Sequence, residues 1–249
     1  MGGRGLTPWR IARIWIADYL YAGVRQLAVL TAWRRPMDWL SGDDRLPDVI
    51  LVPGVYEHWT FLRPLGARLH RAGFRVRTVH GLGVNRRPIP GTAERLGRAL
   101  GRLPVPAAGR VVVGHSKGGL IGKHLVVDDL DSRALGLIGV VAVASPFAGT
   151  RLATLLLDPS VREFLPDGPA IVALGDASSV NGSIVSVFGP FDPHIPDGSA
   201  LDGATNVEVA TPGHFRLLGA PATADAVIEG IRLLIERSAP SGPSSPEAT

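Results

Sequence analysis

From Asp48 onward, short apolar runs alternate with amphipathic stretches, and this alternation predicts strands and helices in turn. Residues 48–53 form an apolar run of strand length, and a helical pattern follows over 59–72. A second strand is expected over 75–80 and a second helix over 92–102. Residues 110–114 hold three consecutive valines and read as a third strand, with the helical stretch Lys117–Asp129 close behind. The run over 137–144 is almost wholly apolar, as befits a strand inside a parallel sheet covered on both faces. Strands over 183–187 and 206–210 and a last helix over 222–237 complete the series. The pattern predicts an α/β fold, a mainly parallel sheet with helices on both faces.

The first forty residues are different. Thr7-Pro8 reads as an N-cap followed by proline at the first helical position. Residues 9–33 continue as a helix that is apolar around most of its circumference. Trp9, Trp15, Trp33 and Trp39 lie in this region beside Arg10, Arg13, Arg25, Arg34 and Arg35. Asp18 and Arg25 break the apolar run well short of the ~18 residues a membrane span requires. No small-residue cleavage site follows a clean apolar core, so a signal peptide is not expected either. The mixture suits a helix packed on the main domain or one lying in a membrane interface, which leaves peripheral membrane contact through residues 6–40 open. Three segments are therefore expected: an N-terminal apolar helical segment (1–45), an α/β domain (46–237) and a disordered Ser/Pro-rich tail (238–249).

Composition narrows the function. A chain of 249 residues suits one α/β domain, and 45% hydrophobic content excludes wholesale disorder. The absence of cysteine excludes disulfides and thiolate metal sites. The net charge is +4, and Lys117 and Lys123 are the only lysines among the basic residues. Arginines crowd the stretch from Arg63 to Arg102, where Glu94 is the sole acid, and this reads as a solvated basic surface. No motif or aromatic interleaving accompanies them, so nucleic acid is not an expected partner. A cytoplasmic location is expected, with or without contact to a membrane surface.

The chemistry centres on Gly114-His-Ser-Lys-Gly118, a Gly-X-Ser-X-Gly pattern placed where an expected strand gives way to an expected helix. A nucleophilic serine must stand on a sharp turn above the sheet, and Gly114 and Gly118 relieve the crowding that such a turn creates. The helix after Ser116 directs free N–H groups at developing negative charge.

Over about residues 48 to 235 the chain resembles the α/β-hydrolase superfamily, in particular small bacterial triacylglycerol lipases and esterases. The resemblance rests on Leu51-Val-Pro-Gly-Val55, the Ser116 motif, Ala144-Ser-Pro-Phe-Ala-Gly-Thr150 and the segment 188–218. It implies a catalytic Ser, acid and His in that chain order. Of the downstream histidines, His124 lies within the helix after Ser116, whereas His214 directly follows the last expected strand, the place of the general base. Asp192 is the expected acid because an apolar residue and proline (Ile195-Pro196) continue the pattern; Asp197 is the alternative. The oxyanion donors implied are the backbone N–H groups of Val55 and Lys117. Where many members carry His-Gly, this chain has Pro53-Gly54, which removes the histidine that usually holds that loop. His80-Gly81 follows the wrong strand to replace it.

The Lys117 side chain is expected to point to solvent, with selection of an anionic head group as the other reading. Residues 151–157 and 161–165 form a short apolar patch that either lines an acyl pocket, as a minimal cap, or packs on the sheet. His194 beside Asp192 and Asp197 makes a poor ligand set on a proline-rich loop, so neither metal nor cofactor is expected. The resemblance implies ester hydrolysis in lipid metabolism on a small-molecule or lipid ester. The alternative is acyl transfer by the same triad to a membrane or alcohol acceptor.

Overall fold

In this computed structural model, which describes residues 6–31, 35–79, 81–155 and 157–239, the central strands are buried almost end to end, as a sheet covered on both faces requires. The strands are β1 (Asp48–Val52), β2 (Val76–Thr78), β3 (Arg110–His115), β4 (Leu137–Val143), β5 (Ile184–Phe188) and β6 (Thr205–Glu208). They form one sheet in the order β2-β1-β3-β4-β5-β6, and every pairing is parallel. The helices are α1 (Pro8–Thr31), α2 (Arg63–Arg71), α3 (Ile89–Leu100), α4 (Lys117–Asp129), α5 (Pro159–Arg162), α6 (Pro169–Asp176) and α7 (Pro221–Ser238).

Side chains alternate across a strand, so each central strand feeds two cores. Val49, Leu51, Val111, Val113, Val141 and Val185 pack under α2 and α7. Ile50, Val52, Val112, Val140 and Ala142 pack under α3, α4 and α6. The expected architecture is present, with both faces covered and the extra N-terminal helix in place. After β1 the chain moves outward to β2 and then returns on the other side of β1 as β3. The carboxyl ends of β1 and β3 therefore flank the point where strand order reverses, where open α/β sheets bind ligands.

Several boundaries differ from expectation for local reasons. The helix expected over 59–72 is a 3-10 turn, Trp59–Leu62, followed by α2, which begins at Arg63-Pro64. The helix expected from 92 starts earlier, at Ile89, because Pro90 occupies the first turn, where proline loses no helical hydrogen bond. The last strand stops at Glu208 rather than 210. Trp33, His80 and the tail from residue 240 lie outside the described residues.

α1 lies across the carboxyl edge of the sheet, touching the Trp59–Leu62 turn and a 3-10 turn at Arg216–Gly219. Tyr21 and Ala22 join the α2/α7 core, and Asp18 is fully buried. Among the described residues no helix is long and apolar enough to cross a membrane.

Candidate active site

Ser116 sits between β3 and α4 with φ 52° and ψ −118°, a backbone conformation that costs an ordinary residue about 1–3 kcal/mol. Its surroundings enforce the turn. The Ser116 N–H donates to the Val143 carbonyl at 2.8 Å, and buried Ser145 donates from Oγ to the Ser116 carbonyl at 2.8 Å. A Cβ on Gly118 would stand 2.1 Å from the Val52 carbonyl oxygen, and one on Gly114 would stand 2.3 Å from the Gly118 carbonyl carbon. Gly119 was not singled out by the motif, yet a Cβ there would lie 2.1 Å from Ser145 Oγ. Gly114 and Gly118 thus let β1 and the elbow pack backbone to backbone, and Gly119 makes room for the Ser145 side chain.

His214 follows β6, and Asp192 lies on the loop after β5. His214 Nδ1 donates to Asp192 Oδ2 at 2.7 Å, while Asp192 Oδ1 accepts the backbone N–H groups of His194 (2.8 Å) and Ile195 (3.2 Å). Both side chains are buried. Asp197, the alternative acid, is instead at the surface, 3.9 Å from Arg151. Burial alone would lower the His214 pKa, but the Asp192 carboxylate, aided by Glu57 and Asp18, outweighs it and the shift is upward. Burial pushes Asp192 up, and its bonds to His214 and to the His194 N–H reverse that, leaving the carboxyl below its ordinary range.

The backbone of His214 is held from both sides by residues that the sequence did not flag. Asp18 of α1 accepts the N–H groups of His214 (3.1 Å), Phe215 (2.9 Å) and Arg216 (2.9 Å). Gly213 makes this approach possible: its φ is 112°, and a Cβ there would be 2.6 Å from Asp18 Oδ1. On the other side His115 Nε2 donates to the His214 carbonyl at 3.1 Å. His115 Nδ1 lies 2.7 Å from Glu57 Oε1, and Glu57 Oε2 accepts the Gly54 N–H at 2.7 Å. Glu57 thus fastens the Pro53-Gly54 loop that lacks the usual histidine, and a buried chain of contacts links that loop to the general-base candidate.

Lys117 does not point to solvent. Its side chain is fully buried, and the ammonium donates to the Arg87 carbonyl at 2.6 Å and to Glu163, which also accepts the Ile89 N–H. Burial lowers the Lys117 pKa against the opposing pull of Glu163. Asp158 secures the same cap through Tyr56 and through Arg86 at 3.0 Å. These ties hold the segment 158–163 over the elbow, so the residue after the nucleophile candidate anchors the cap and selects no head group.

A cavity of about 490 Å³ opens above Ser116. Ser116, His214 and Val55 line it, with Leu152, Val161 and Phe164 from the cap and Tyr19, Ala22 and Gln26 from α1. The apolar patch after Thr150 therefore lines the pocket. His194 lies between α1 and His214, its Nε2 3.1 Å from the Tyr19 hydroxyl and its ring 4.9 Å from that of His214. Burial and the nearby His214 charge push its pKa down to about 3, so it stays neutral. Asp192, His194 and His214 offer one potential metal-ligating atom each within 4.8 Å of one another. His214 Nδ1 is engaged by Asp192, and His194 Nε2 meets the Tyr19 hydroxyl.

A parallel sheet of this order with a strained serine between β3 and α4 defines the α/β-hydrolase fold, and the chain has that fold. The mature lipase BlEst2 of Bacillus licheniformis matches 76% of this chain and 94% of its own at 13% identity, with a TM-score of 0.55. A carboxylesterase of the thaumarchaeon Nitrososphaera gargenis matches 79% and 93% at 15% identity, TM-score 0.52. YbtT, a type II thioesterase of yersiniabactin biosynthesis, matches 80% and 98% at 17% identity, TM-score 0.56. No protein-family model and no curated protein matches the sequence.

Proposed function

We propose that the chain hydrolyses carboxylic esters through an acyl-enzyme on Ser116. His214 Nε2 takes the Ser116 hydroxyl proton as Oγ bonds to the ester carbonyl carbon. The N–H groups of Val55 and Lys117 receive the negative charge that develops on the carbonyl oxygen. The carbon–oxygen bond to the alcohol then breaks as His214 returns the proton to the leaving oxygen. Water, deprotonated by the same imidazole, attacks the acyl carbon and frees the acid and Ser116. Asp192 fixes the His214 tautomer and stabilises the imidazolium.

One observation carries this reading: a serine held in a strained elbow shares a cavity with a histidine whose Nδ1 is bound by a buried carboxylate. Fold neighbours that carry the names lipase, carboxylesterase and thioesterase support it. The test is hydrolysis of p-nitrophenyl esters from acetate to palmitate by the parent chain and by Ser116→Ala. Activity confined to the parent is the expected result, and the chain-length optimum reports the acyl preference. Equal activity in both proteins, or none in the parent, would remove the proposal.

A further inference from the structure

An ordinary surface helix buries its apolar face and turns a polar one outward. α1 does the first and not the second. Its inner face carries Asp18 and Tyr21 onto the domain, while Ile16, Leu20, Val24, Leu27 and Leu30 on the outer face are 57–78% exposed. The exposed positions between Ile16 and Leu30 hold no charged residue, and the only acid of α1, Asp18, is buried. At the amino end Arg10 and Arg13 are exposed, with their guanidinium carbons 5.7 and 5.5 Å from the Trp9 ring centre. Together with Arg216 they line one shallow depression. Across the cavity, Leu155 and Leu157 of the cap are 76% and 89% exposed, close to the lining residues Leu152 and Ala153.

We propose that this outer face of α1 docks on the surface of an anionic phospholipid bilayer. The apolar stripe would sit among the upper acyl segments, Trp9 at the headgroup level and Arg10, Arg13 and Arg216 against lipid phosphates. The charge pattern selects this occupant over a second copy of the chain, because α1 exposes no acid to meet another copy's arginines. Docking would also orient the site. The adjoining edge of the same helix, Tyr19, Ala22, Gly23 and Gln26, forms one wall of the Ser116 cavity, so its mouth would face the lipid. The binding step stands apart from the reaction and is testable without turnover.

The full chain carrying Ser116→Ala, which spares the lipid, is floated with vesicles of phosphatidylcholine alone or with about one third phosphatidylglycerol. It should float with the anionic vesicles and far less with the neutral ones. Arg10→Gln with Arg13→Gln should weaken binding roughly thirtyfold, at about a factor of five for each basic residue near the surface. Leu20→Glu with Leu27→Glu should weaken it by at least about tenfold. None of these four residues lines the cavity, and both double variants should melt within a few degrees of the parent, which separates lost docking from lost folding. Absence of flotation, equal binding to both vesicle types, or binding unchanged in the arginine variant would overturn the proposal. A dimer in sedimentation that the leucine variant dissolves would assign the face to a second copy instead.

Discussion

Asp18→Asn tests whether α1 sets the position and charge state of His214, the proposed general base. Asp18 Oδ1 accepts two N–H groups, those of Phe215 and Arg216, and Oδ2 accepts that of His214. Removing the acceptor in Asp18→Ala leaves one buried and two part-buried donors, each worth about 1–3 kcal/mol when unsatisfied, so a loss of about 3–5 kcal/mol is expected once water meets part of the need. Asparagine is gentler. Its oxygen keeps the Phe215 and Arg216 bonds, while its NH₂ faces the His214 N–H, donor against donor. The loop should shift at His214 alone, and a displacement of ~1 Å at a catalytic group costs on the order of 10²-fold in rate. kcat should therefore fall roughly ten- to a hundredfold with KM little changed. The charge matters as well, because Asp18 is one of the carboxylates that raise the His214 pKa. The base works unprotonated, so removing that charge lowers its pKa and moves the acid limb of kcat/KM to lower pH. A p-nitrophenyl butyrate pH–rate profile measures both effects. Reduced thermal stability with parental kcat and an unmoved acid limb would refute the reasoning and leave Asp18 a purely structural residue.

Glu57→Gln should lower kcat about tenfold or more with KM little affected, since the Gly54 loop that presents the Val55 N–H loses its charged acceptor; parental kcat would detach Glu57 from the oxyanion loop. Lys123 is buried on α4, and burial holds its pKa at about 8 against an ordinary 10.5. The unfolded chain binds more protons between those values, so stability rises with pH across that window and the penalty is full below it. Lys123→Met should accordingly raise stability by on the order of 3 kcal/mol at pH 7 and by much less above pH 10; an equal gain at both pH values would point to packing instead.

The sheet was legible because its evidence is local. Runs such as Val111-Val-Val113 announce a strand buried on both faces, and the structure divides those side chains between the two cores. The elbow was legible because a sharp turn demands glycine within two residues of the serine. Asp192 was legible only through the resemblance, by way of Ile195-Pro196, and the structure brings it to His214 as that pattern implied. Asp18 was read as nothing more than a charge interrupting an apolar helix. Its partners lie 196 to 198 residues away, and a contact at that separation leaves no periodicity behind. Lys117 misled for a related reason: a lysine beside the elbow has only solvent in view until Glu163 arrives from the cap 46 residues later. Glu57 had one available signal, the missing histidine before Gly54, which implied that another side chain must secure the loop.

The bond between Asp18 and the His214 loop also orders events during synthesis. α1 leaves the ribosome ahead of the domain it packs on, apolar around most of its circumference, and the N–H groups that donate to its carboxylate are made almost 200 residues later. Until the turn after β6 exists, the inner face of α1 can reach the Trp59–Leu62 turn but leaves Asp18 without its partners, and such a half-docked helix invites chaperones, aggregation or a lipid surface. Joining Asp18 to the His214 turn closes a loop of 196 residues, whose ordering favours slow, late assembly. On the proposed mechanism, hydrolytic competence would wait for that closure. Nascent or truncated chains would carry a finished serine elbow and still do no chemistry.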